Sequence, residues 1–177
     1  MERKSRCGLV LCLTAVLVLA ACGGGTMTIN LTPRGGAPTL GNDPVVMSPA
    51  QLRAEARLLG QPIYWAGAKK GYEYEFQRTS IGYVYVRYLP RGTAAGDTGN
   101  FLTIAMYPFK GAFKGVKATG KGNATAGPGG SILYVRPNHL GSVLMAFHGV
   151  PYEIEVYDPR PAKSVAVARS GRVRPVG

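Results

Sequence analysis

Two hydrophobic spacings alternate along the chain, and each marks an element. Tyr72, Tyr74 and Phe76 alternate with Glu73, Glu75 and Gln77, the period-two pattern of a strand with one buried face. Residues 83–88 repeat it, with Val84, Val86 and Tyr88 on one side and Tyr83, Tyr85 and Arg87 on the other. The short link at 79–82 predicts a hairpin between them. Residues 101–107 carry Leu102, Ile104 and Met106 on one face. Further strands are expected at 63–65, 131–136, 142–148 and 152–157. The last sets Tyr152, Ile154 and Val156 against Glu153 and Glu155.

Helical spacing appears three times. Ser48-Pro49-Ala50-Gln51 is a capping box with proline at the first helical position. Leu52, Ala56 and Leu59 follow on one face, with Glu55 mostly off it. Gly60 and Pro62 end the run. Phe109, Ala112, Phe113 and Val116 stand at i, i+3, i+4 and i+7, predicting a helix over 109–118 that Gly111 and Gly115 weaken by ~1 kcal/mol each. A third helix is expected over 161–170, capped by Asp158 and closed by Gly171. Between the halves, 120–130 reads as a mobile glycine-rich loop. The order predicts an α+β domain at 48–177. It would be a mostly antiparallel sheet of six or seven strands with three helices packed on one face. Each half is a helix followed by about three strands, which hints at an αβββ pseudo-repeat.

The first 47 residues differ in kind. Residues 1–6 are short and basic, and 8–19 are apolar. Twelve helical residues cover roughly 18 Å, well short of the ~30 Å hydrocarbon core, so the stretch suits a signal peptide rather than a spanning helix. Leu19-Ala20-Ala21-Cys22 follows and resembles the lipobox of bacterial lipoprotein precursors. That resemblance covers the leader alone. It implies cleavage between Ala21 and Cys22, a diacylglyceryl thioether on the Cys22 sulfur and acylation of the new amino group. The product would be anchored on the extracytoplasmic side of a cell membrane, since two or more acyl chains hold stably where one does not. Residues 22–47, rich in Gly, Pro, Thr and Asn, read as a flexible tether.

Cys7, Cys12 and Cys22 are the three cysteines, so the mature chain has no pair for a disulfide and no thiolate metal cluster. The net charge of +12 falls by two when Glu2, Arg3, Lys4 and Arg6 leave with the leader. A basic exported chain meets anionic lipid headgroups or acidic wall polymer; the address argues against nucleic acid.

Several patterns suggest chemistry. Gly115 to Lys121 matches most of a phosphate-binding loop, but Gly122 stands where a magnesium-binding hydroxyl is required, and a flexible loop explains it better. His139 and His148 are the only histidines and lack metal-ligand spacing. No cofactor is implied. Glu73 with Glu75, and Glu153 with Glu155, put two carboxylates ~7 Å apart on one strand face, the separation of hydrolytic pairs. The polar side of amphipathic strands explains them better. Lys110, Lys114, Lys117 and Lys121 form one basic stripe that suits a membrane surface or simply solvent. Tyr64, Trp65, Tyr83, Tyr85 and Arg87 form an aromatic face for sugars or a partner, unless a helix covers it. Three functions are therefore open: a non-enzymatic ligand- or partner-binding envelope domain, a hydrolase of wall polymer, and a structural or stress-related surface lipoprotein.

Overall fold

The computed structural model describes residues 43–177. Ala21, Cys22, the leader and most of the expected tether lie outside the described residues. The elements are β1 (Val45–Met47), α1 (Pro49–Leu59), β2 (Tyr64–Trp65), β3 (Tyr72–Arg78), β4 (Val84–Pro90), β5 (Thr103–Pro108), α2 (Ala112–Thr119), β6 (Thr125–Ala126), β7 (Ile132–Val135), β8 (Ser142–Ala146), β9 (Tyr152–Tyr157), α3 (Pro161–Arg169) and β10 (Arg174–Pro175). Eight strands form one antiparallel sheet in the order β1-β3-β4-β5-β9-β8-β7-β6, and β2 pairs with β10 in a separate ribbon.

The α+β class holds, with three helices and eight strands in the main sheet rather than six or seven. The additional strands are short edge pieces. β1 pairs with β3 through Met47 and Tyr74, so pairing begins inside the stretch expected to be tether. β6 lies within the expected glycine-rich loop and pairs with β7.

Two meanders, β3-β4-β5 and β7-β8-β9, meet at the β5–β9 pair. The αβββ repeat is not confirmed as a unit, because the preceding helices take opposite faces. Leu52 of α1 and Ala168 of α3 join Val143, Met145, Ile154 and Val156 in the larger core. Ala112 and Val116 of α2 join Ile132, Leu144 and Ala146 in a second. Successive residues of β8 point to opposite sides of the sheet, so Val143 and Met145 face α3 while Leu144 and Ala146 face α2. The expectation that helices cover one face therefore needs correcting. β8 is apolar at every position but Ser142, as a strand covered on both sides must be.

Local signals explain α1. Ser48 accepts from Gln51 N, Gln51 accepts from Ser48 N at 2.8 Å, and Gly60 closes the helix in the left-handed region. Glu55, expected off the buried face, is itself buried, and burial raises its carboxyl above the ordinary range against the field of Arg78. α2 starts three residues later than its apolar spacing predicts. Gly111 adopts φ 85° at its N-cap, and the Phe109 ring folds back onto Gly115, where a Cβ has no room. α3 has Arg160 at its N-cap, not Asp158. The buried Asp158 acts two residues earlier, accepting from Arg160 N at 3.0 Å and forming an ion pair with Lys163 Nζ at 2.9 Å.

Candidate functional site

Pleat and register decide what the α2 side of the sheet displays. One row across the strands reads Gln77, Tyr85, Ala105, Glu155, Leu144, Tyr134. A second reads Glu75, Arg87, Thr103, Tyr157, Ser142. Tyr107 pairs with Glu153 in a third. α2 covers the β7–β8 end of this face. The other end is held by the loop at 91–100. Arg87 bridges Glu75 at 2.7 Å and reaches the carbonyls of Asp97 and Gly99 at 2.6 and 3.0 Å, while Gly96 N donates to Glu75 at 2.6 Å.

Between the two covers, β4, β5 and β9 present a strip of tyrosines and carboxylates. Tyr83 and Tyr85 each meet Tyr107 edge to face, at centroid distances of 4.9 and 6.2 Å. All three are half-buried, which leaves ring surface accessible. Tyr107 donates to Glu155 Oε2 at 2.8 Å, Ser142 Oγ donates to Glu155 Oε1, and Arg136 stands 3.6 Å from the same oxygen. Burial, then the bond to Glu155, drives the Tyr107 phenol well above its usual range. Burial raises Tyr85 as well. Glu153 is raised first by burial and then by the charge of Glu155, against Arg136. Four of the nine carboxylates of a strongly basic chain, Glu73, Glu75, Glu153 and Glu155, stand on this sheet side, Glu75 paired with Arg87 and Glu155 with Arg136.

The five residues expected to make one aromatic face are not brought together. Tyr64 and Trp65 are buried in the larger core, Tyr64 against Phe147 and Trp65 against Tyr74. Tyr83 and Tyr85 lie on the strip. Arg87 is engaged by Glu75 and the loop carbonyls. Tyr107 was not among the five; its alternation with Met106 was visible, but its neighbours depend on β4–β5 and β5–β9 pairing.

Lys110, Lys114, Lys117 and Lys121 are all exposed, the middle two on α2 and the outer two flanking it. Gly115 sits inside α2, and β6 rather than a helix follows Lys121, so the phosphate-loop context is lacking. His139 is exposed in a turn, and His148 stacks on Phe113 of α2 with centroids 3.5 Å apart. Among the described residues, no group of three or more His, Cys, Asp or Glu could hold a metal, and no helix is long and apolar enough to cross a membrane. Comparison with known proteins finds no matching family model, no similar curated protein and no similar solved structure.

Proposed function

We propose that this chain is a lipid-anchored envelope protein whose domain binds, without cleaving, a neutral or amine-bearing saccharide of the cell wall. The anchor reading rests on the Cys22 lipobox. The ligand reading rests on one observation, the strip of Tyr83, Tyr85 and Tyr107 beside Glu153 on the uncovered part of the sheet. Aromatic rings offer sugars an apolar face at low entropic cost, and nearby carboxylates accept from hydroxyl or amino groups. Acidic wall polymer or anionic headgroups would instead meet the lysines around α2.

The hydrolase reading has one observation in its favour: a raised Glu153 beside Glu155 is the pattern of paired catalytic acids. Against it, both Glu155 oxygens are already engaged, by Tyr107 on one side and by Ser142 and Arg136 on the other. A carboxylate so occupied is a poor base for water.

Chemical labelling tests the ligand reading. Added chitotetraose should protect Tyr83, Tyr85 and Tyr107 of the full-length protein from hydroxyl-radical oxidation, which attacks the rings whatever their protonation, and leave Tyr134 unchanged. Unaltered labelling of all four overturns it and leaves the structural role. Intact mass of membrane-extracted protein tests the anchor separately, with acyl mass expected on Cys22.

A further inference from the structure

On the opposite side of the sheet, α3 and the segment after β2 enclose a cleft of about 250 Å³. Its walls are Ala66, Leu102, Ala166 and Val167. Its floor is Tyr88, whose hydroxyl accepts from Ala66 N at 2.6 Å and donates to Gly67 O at 3.1 Å, so the floor offers no spare polar bond. The cations Lys69, Lys163 and Arg172 line it, and no carboxylate does. Nearby, the Tyr72 phenol is lowered first by its bond to Lys69 and further by Lys163 and Arg160, against burial, which marks a positive field over the mouth.

We infer that this cleft binds an amphipathic carboxylate, a short acyl chain lying on the apolar walls with its headgroup on Arg172 and Lys69. Charge complementarity commits the cleft to an anion. Lys163 is already matched by Asp158 at 2.9 Å, and Lys69 rests 3.5 Å over the Tyr72 ring. Arg172 has only a long 3.5 Å side-chain contact, to Ala68 O, and offers one planar fork, which fits the two oxygens of a single carboxylate. A water takes ~30 Å³, so the volume holds roughly eight such groups, an acyl chain of about eight carbons. The site is independent of the tyrosine strip.

The test uses full-length protein in nanodiscs, irradiated with a diazirine-bearing octanoate, with labelled peptides located by mass spectrometry. Label should fall on the peptide containing Ala166 and Val167, and excess octanoate should suppress it at least tenfold. Ala166→Phe, which fills the cleft from an exposed helix position, should do the same. Lys69→Met with Arg172→Met, both surface changes, should reduce it comparably and keeps the test meaningful if Ala166→Phe fails to fold. Equal suppression by octanol or octyltrimethylammonium overturns the inference, as does label that both variants leave unchanged. Tighter competition by octyl phosphate than by octanoate overturns the assignment of a carboxylate.

Discussion

Tyr107 and Glu155 are 48 residues apart in sequence, and the Tyr107 hydroxyl donates to the Glu155 carboxylate at 2.8 Å. The bond spans the β5–β9 pair, where the two three-stranded meanders join. It fixes the tyrosine that both Tyr83 and Tyr85 lean against, and it engages one of the two Glu155 oxygens. Tyr107→Phe keeps the ring and removes the donor. Loss of one donor to a half-buried carboxylate costs about 1–3 kcal/mol, read as a lower urea midpoint with an unchanged slope.

Arg87 holds the loop at 91–100 through Glu75, whose side chain is only 1% exposed. Arg87→Met strands that buried charge and should cost about 3–5 kcal/mol. Limited proteolysis should then cut within 91–100. Adding Glu75→Leu removes the stranded charge and should restore much of the stability but not the protection of the loop.

Gly115 lies inside α2, where alanine is the better helix former by ~1 kcal/mol. The Phe109 ring occupies the space its methyl needs. Gly115→Ala should therefore gain none of that, and cost at most about 1 kcal/mol, because the ring must swing aside from its packed position. Thermal melts of Gly115→Ala and of Gly115→Ala with Phe109→Ala separate the effects, since the second change relieves the clash.

Asp158 and Glu153 titrate in opposite senses. Burial raises Asp158, but its bonds from Lys163 and Arg160 outweigh that and hold it below its ordinary 3.8. Its contribution is present above pH 3.8 and is lost as pH falls through the lower folded value. Asp158→Asn should cost about 1–3 kcal/mol at pH 7, with the gap closing in acid. Glu153 is raised above 4.5, so the fold is most favoured below that pH and loses stability as pH rises through the higher folded value. Glu153→Gln should remove that decline and gain at most about 1 kcal/mol at pH 7. Urea titrations from pH 1.5 to 8 check both.

What was legible in the sequence was local. α1 has its cap, its proline and its terminating Gly60 within one short run, Ser48 to Gly60. β9 was readable to its ends because Tyr152, Ile154 and Val156 alternate with glutamates. β1, β6 and β10 have no alternation of their own and are strands only because β3, β7 and β2 supply partners. Nothing local could place α2 opposite α3, since both helices have an apolar side and β8 is apolar on both faces. The strip was half legible. Alternation puts Tyr83, Tyr85, Glu153 and Glu155 on polar strand faces, but Tyr64 and Trp65 share their chemistry and end up in the core. The Tyr107–Glu155 bond requires knowing that strands 44 or more residues apart are neighbours.

The most direct test of the account is retention of the protein on purified neutral wall glycan, compared between wild type and Tyr83→Ala/Tyr85→Ala. Two accessible rings at roughly 0.5–1.5 kcal/mol each predict about a tenfold loss of retention with an unchanged circular dichroism spectrum. Lys114→Gln/Lys117→Gln should bind as wild type does. Equal retention of the tyrosine variant, or loss in the lysine variant instead, would contradict the assignment of the binding surface to the tyrosine strip.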